Sequence, residues 1–139
     1  MALSDREIDL IRAGFRELRS DIQPRSEAFY AAFFRRAPEL RPMFREDLSG
    51  QGMRFMSTLA VLLDHLNDPE TLAERYADLG RSHRALGVKA AYFEVMGEAL
   101  IETLQGALGE AFTPETEEAW RKAYGQFSLA VMAAAGIGQ

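Results

Sequence analysis

The strongest constraint on the fold is a run of residues that are spaced for one face of a helix and include a histidine. The run consists of Leu72, Tyr76, Leu79, His83 and Leu86, which follow one another at steps of four and three. Such steps place side chains on a single helical face. A histidine on an apolar face points towards the core, where each ring nitrogen needs a partner. The pattern therefore allows three roles for His83: a satisfied core histidine, a catalytic base or an axial metal ligand.

Composition narrows the class of protein. The 139 residues form one domain, 1–139, with enough apolar side chains (47%) for a core. The net charge of −5 gives no electrostatic reason to expect nucleic acid or an anionic membrane as a partner. The chain has no cysteine, which excludes disulfides, iron–sulfur clusters and thiolate ligation of haem. We expect a cytoplasmic protein, because neither a signal peptide nor an apolar run of about 20 residues is present.

The apolar spacing predicts an all-α protein with about six main helices. We expect helices over 4–18, from Pro24 through the aromatic residues 29–34, over 51–66, 69–87 and 90–108, and from 113 onwards. Pro38 and Pro42 predict a turn or a single 3₁₀ stretch between the second and third helices. Residues 45–50 are expected to form a polar connection and the tail 133–139 to fray. No segment alternates as a strand would.

Three segments carry a family resemblance. They are 79–89 (LGRSHRALGVK), 38–44 (PELRPMF) and 119–125 (AWRKAYG). The first resembles the proximal-histidine segment of globins, and the second resembles the turn that places their haem-contacting phenylalanine. The third resembles the last helix of bacterial haemoglobins. The order and separation of the three also fit, and the chain looks most like bacterial single-domain haemoglobins, with neuroglobin-like and flavohaemoglobin-like segments.

This resemblance implies a globin fold whose helices sandwich haem b, iron protoporphyrin IX. It makes His83 the axial metal ligand, because a neutral imidazole is a strong donor to haem iron. Phe44 would stack on the porphyrin face. Apolar residues would line the proximal side. For each of them, packing in the hydrophobic core without contact to haem is an equal alternative. They are Leu79, Leu86, Val88, Phe93 and Met96.

The resemblance also implies a polar distal side. Tyr30, in the motif AFYAAF, matches the distal tyrosine of the flavohaemoglobin-like branch. The distal position 32 residues before the proximal histidine is Gln51, and Phe55 would lie one turn further on. The connection from Phe44 is shorter than in the family, so a register shift would bring Arg54 or Phe55 to the distal position. Tyrosine and glutamine are hydrogen-bond donors, which favour dioxygen over carbon monoxide.

The second histidine is not expected to ligate the iron. His65 follows Gln51 by 14 residues, which is about 21 Å along a helix. His65 is therefore predicted to be a surface residue at a helix end. The iron should be pentacoordinate in the ferrous state, and capped by water, hydroxide or Tyr30 in the ferric state.

The proximal side departs from the pattern of flavohaemoglobin-type nitric oxide dioxygenases. Those enzymes strengthen the proximal histidine with a tyrosine ten residues later, where this chain has Phe93, and with a glutamate near the place of Ala135. Tyr92 is one residue out of register. The resemblance therefore favours a protein that reversibly binds dioxygen, as well as carbon monoxide and nitric oxide. The alternatives are a nitric oxide dioxygenase served by an external reductase, a gas-sensor globin, and a globin fold without haem.

Overall fold

The computed structural model describes residues 3–43, 48–65, 69–85 and 90–136, and within these ranges every regular element is a helix. The six α-helices are α1 (Asp5–Ser20), α2 (Ile22–Arg36), α3 (Leu48–Asp64), α4 (Pro69–Ala85), α5 (Ala90–Leu108) and α6 (Pro114–Ala135). Two 3₁₀ helices, Pro38–Met43 and Gly109–Ala111, precede α3 and α6. The all-α prediction with six main helices is confirmed.

Two helix starts form where local side chains satisfy the free backbone amides. Ser4 caps α1: its hydroxyl accepts a hydrogen bond from the backbone N–H of Glu7 at 3.1 Å, and Glu7 accepts one from the Ser4 N–H at 2.8 Å. This is the reciprocal capping box. Thr113 caps α6 by accepting from the backbone N–H of Thr116 at 3.2 Å, directly before Pro114 in the first turn. Both starts follow from the sequence alone.

Two predicted boundaries were wrong. Helix α3 begins at Leu48, so residues 48–50 are helical rather than part of a polar connection. Helix propensity is a weak signal that tertiary context routinely overrides, and α3 as a whole packs against α2. Helix α6 continues to Ala135 instead of fraying from Ala133, because alanine is the best helix former and Gly136 ends the helix in the left-handed conformation at φ 70°. The predicted helix end near Gly87 lies outside the described residues, as does residue 66 at the predicted end of the third helix.

The core forms where α2 packs against α3 and α5, and where α6 packs against α1 and α4. Trp120, Phe29 and Phe33 are its largest fully buried side chains. The inward stripe of α1 is buried along its whole length and consists of Ile8, Ile11, Phe15 and Leu18. Helix α6 therefore joins the first helix to the fourth and fifth, because it contacts α1, α4 and α5.

Charged side chains cover the outer faces of the helices. Arg6 pairs with Glu115 at 2.6 Å and Lys122 with Glu7 at 3.0 Å, and both pairs join α1 to α6. Ion pairs on an accessible surface contribute little to stability, so apolar burial dominates the packing of these helices. No helix in the described ranges is both long enough and apolar enough to cross a lipid bilayer.

Candidate functional site

The inward face of α4 is an incompletely covered apolar surface. Leu72, Tyr76 and Leu79 contact the main core cluster but stay half-buried, in contrast to the fully buried stripe of α1. The pKa of Tyr76 is raised, because burial disfavours its charged form. Half-buried apolar side chains on one helical face form a wall against which a flat apolar molecule can pack.

Helix α4 is described over Pro69–Ala85 and carries the backbone of His83 near the end of that range. Leu79 precedes His83 in the sequence by four residues, about one helical turn. Helix α4 rests on α6, where the ring of Tyr76 lies 6.3 Å from that of Phe127 at an angle of 46°. Helix α6 thus supports the histidine-bearing helix α4 through a contact between two aromatic rings.

An aromatic cluster on α2 forms a second apolar wall. Tyr30 is 6% exposed, with its ring edge-on to Phe29 at 5.2 Å and stacked on Phe34 at 5.7 Å. The Arg41 guanidinium lies 5.4 Å from the centre of the Phe34 ring, and Leu40 is buried in the core cluster. These contacts anchor the 3₁₀ helix Pro38–Met43 on α2, and the position of Phe44 follows directly after that helix.

A half-buried tyrosine links α5 to α6. The hydroxyl of Tyr124 donates a hydrogen bond of 2.6 Å to the backbone carbonyl of Phe93, and burial raises the pKa of Tyr124. The ring lies directly against Gly97, where a Cβ atom would come within 2.7 Å of Cε2. Sequence reasoning missed this contact, although a glycine inside a predicted helix signals a close approach.

The structure brings some of the predicted site residues together. Tyr30 belongs to the main core cluster, and Leu79 and Met96 pack against that cluster. Phe93 is 4% exposed but lies outside the cluster and lines a groove between α5 and α6. His65 follows the end of α3, as predicted, but is half-buried rather than fully at the surface.

Other predicted residues lie partly or wholly outside the described part of the structure. Phe44, Leu86 and Val88 are outside the described residues altogether. The backbones of four others are helical, while their side chains are outside the description: Gln51, Arg54 and Phe55 in α3, and His83 in α4. The distal register and the ligand role of His83 therefore stay predictions.

Comparison with known proteins gives one family. The sequence model of the globin family matches residues 27–131. The chain is 30% identical over 122 residues to the flavohemoproteins of Bordetella pertussis and Bordetella bronchiseptica, which covers 86% of this chain and 30% of each relative. It is 29% identical over 136 residues to the neuroglobin of Tetraodon nigroviridis, covering 88% of this chain and 86% of that protein. The chain thus spans 30% of the length of the flavohemoproteins that it matches.

Proposed function

The chain belongs to the globin family, and from this premise we propose that it is a haem protein that reversibly binds dioxygen and other diatomic gases. The observation that carries the proposal is the half-buried apolar face of α4, on which Leu79 lies one turn before His83. A haem is a large apolar plate that needs such a wall and one strong axial nitrogen donor. The apolar face of α4 therefore supports haem as the cofactor, and we propose that it is haem b.

In this proposal each side of the plate has its own residues. His83 would supply the imidazole ligand, and Phe44 would lie against the porphyrin face. Leu79, Leu86, Val88 and Phe93 would exclude water from the proximal side. When bound, the haem supplies the iron that takes the gas.

The distal side is assigned to α2 and α3. The hydroxyl of Tyr30 would donate a hydrogen bond to the bound gas, and Gln51 would supply a second donor. Phe55 would fill the space above the haem. The burial of Tyr30 among the aromatic rings of α2 supports this role, because a donor acts most strongly where water is excluded.

Visible absorption spectra test the proposal. The ferric protein, reduced with dithionite and then exposed to dioxygen or carbon monoxide, should pass from a pentacoordinate ferrous spectrum to distinct oxy and carbonmonoxy spectra. A low-spin hexacoordinate ferrous spectrum would show an internal sixth ligand and contradict the open distal side. Absence of any haem band after addition of hemin would refute haem binding.

The two histidines offer a matched pair of variants. His83→Ala should lose tight haem binding, while His65→Ala should keep the haem content and spectrum of the wild type. Equal haem content in His83→Ala and wild type would refute the assignment of the axial ligand. Far-UV circular dichroism of both variants separates loss of the ligand from loss of the fold.

A second candidate function is nitric oxide dioxygenase activity with electrons from a separate reductase. The buried Tyr30 and the similarity to flavohemoproteins favour it. Phe93 in place of the tyrosine beside the proximal histidine argues for gas binding as the main function. Nitric oxide consumption under aerobic turnover with NADPH and a bacterial flavodoxin reductase separates the two, because only an enzyme removes nitric oxide in many-fold excess over haem.

A further inference from the structure

The ring of Tyr30 is packed against three phenylalanine rings of its own helix. It lies edge-on to Phe29 with ring centres 5.2 Å apart, and tilted against Phe33 at 6.3 Å. It is stacked on Phe34, with ring centres 5.7 Å apart and ring planes 24° apart. Phe29 and Phe33 are buried in the core, whereas Phe34 is half-buried. Phe34 is thus the one of these three rings that reaches the surface.

A cation lies over this outer ring. The guanidinium carbon of Arg41 is 5.4 Å from the centre of the Phe34 ring, within the range of a cation–π attraction. Arg41 is exposed, but its backbone belongs to the 3₁₀ helix Pro38–Met43. Leu40 anchors that helix, because its side chain is buried in the core cluster and its N–H donates to the carbonyl of Ala37 at 3.0 Å. The backbone of Arg41 is therefore held next to the last turn of α2.

These contacts bear on the direction of the Tyr30 hydroxyl. A hydrogen bond weakens steeply when the donor is misaligned, so the position of the phenol oxygen matters to any group that it contacts. That position is set by the direction of the whole side chain. A ring stacked on Tyr30 resists a swing of that side chain, because the swing would separate two faces that attract each other. The cation over Phe34 holds the stacked ring in turn.

We propose that Phe34 and Arg41 are positioning residues that hold the hydroxyl of Tyr30 in the direction in which it donates to the bound gas. This inference rests on the distal role proposed for Tyr30. Neither Phe34 nor Arg41 touches the gas. Both act through the Tyr30 ring and slow the release of dioxygen.

Stopped-flow measurement of dioxygen release tests the proposal. Phe34→Leu should release dioxygen faster by about threefold or more, which corresponds to about 0.7 kcal/mol. Arg41→Ala should act in the same direction with a smaller effect. Arg19→Ala is the matched control, because the Arg19 guanidinium lies 5.9 Å from the ring of Phe15 on α1, a different helix from that of Tyr30. Wild-type release from Phe34→Leu, or equal effects of Arg41→Ala and Arg19→Ala, overturns the proposal.

A double variant separates this inference from the role of Tyr30 itself. Tyr30→Phe should release dioxygen faster than the wild type, and adding Phe34→Leu to it should change the rate no further, since the hydroxyl is already gone. An unchanged rate in Tyr30→Phe would refute the distal role and this inference together. A fast Tyr30→Phe with additive effects in the double variant would refute only the inference.

Two spectroscopic signatures distinguish positioning from a general loss of stability. A donor to bound carbon monoxide weakens the C–O bond, so Phe34→Leu should raise the C–O stretching frequency towards that of Tyr30→Phe. The chain contains four tyrosines, so labelling with 3-fluorotyrosine gives four ¹⁹F signals, and that of Tyr30 is identified by its loss in Tyr30→Phe. Arg41→Ala should shift this signal in the carbonmonoxy protein, and Arg19→Ala should not. Faster release without either change would overturn the proposal.

Discussion

Replacing Gly97 by alanine should destabilise the protein, although the same change inside most helices is stabilising. A Cβ atom at Gly97 would lie 2.7 Å from Cε2 and 2.9 Å from Cδ2 of Tyr124, closer than such atoms approach in proteins. The Tyr124 ring is held in place, because its hydroxyl donates to the carbonyl of Phe93. The ring can move away only by weakening that hydrogen bond.

The magnitude follows from three contributions. Inserting a methyl group into a packed contact costs about 1–3 kcal/mol. Losing the hydrogen bond of Tyr124 costs about 1 kcal/mol more. Alanine gains about 1 kcal/mol over glycine within a helix, which offsets part of this cost. The free energy of unfolding should therefore fall by about 1–3 kcal/mol in Gly97→Ala.

Urea denaturation followed by far-UV circular dichroism measures the effect, with the haem content of the samples matched. Gly106→Ala is the control, because it lies on the same helix and its Cβ atom would meet only Arg25 Nη1, at 3.9 Å. This variant should be more stable than the wild type by up to about 1 kcal/mol. If Gly97→Ala gains stability as Gly106→Ala does, the ring of Tyr124 moves at no cost and the reasoning is refuted.

Further predictions concern a helix cap, a turn, an ion pair and the distal side. Ser4→Ala should lower the free energy of unfolding, measured by urea denaturation, by about 1 kcal/mol because it removes the α1 cap. Gly109→Ala should lower it by about 1–2 kcal/mol because φ is 56° at this position. The hydrogen bond from Arg121 holds the pKa of Glu98 below its usual value of 4.5. A lowered folded-state pKa stabilises the fold above the unfolded pKa, and this stabilisation is lost as pH falls through the folded pKa. Urea midpoints measured from neutral pH to about pH 3 should therefore fall less steeply in Glu98→Gln than in the wild type. Tyr30→Phe should release dioxygen faster in stopped-flow measurements, and an unchanged rate would remove Tyr30 from the distal site.

Much of the fold could be predicted from local sequence. The capping box at Ser4 and the Thr113-Pro114 start of α6 follow from interactions within a few residues, and the bounds of α5 match those predicted. The predicted end of α6 was wrong, because the glycine that ends the helix lies beyond the point where the small residues begin. Packing and capping together decide which of several weak signals sets a helix boundary. The sequence does not rank these signals.

The candidate site was predicted from family-like motifs rather than from periodicity. Spacing alone left His83 as a core residue, a base or a ligand, and only the resemblance of the segment 79–89 favoured the ligand. The placement of Tyr30 in the same core as Leu79 needed the packing of α2 and α4 around a common centre. Neither residue lies near the other in sequence, so no local pattern connects them.

The sequence by itself determined which faces of the helices are apolar, because the 3.6-residue period is a property of each helix alone. Only the tertiary structure decided which faces meet. Tyr124 bonds Phe93 and packs on Gly97 across α5 and α6, while Leu129 on the same helix stays exposed. The helical period places these two residues, which are five positions apart, on different faces of α6. It does not say which helix covers which face, because a side chain is buried only if a neighbouring helix offers a surface that fits it.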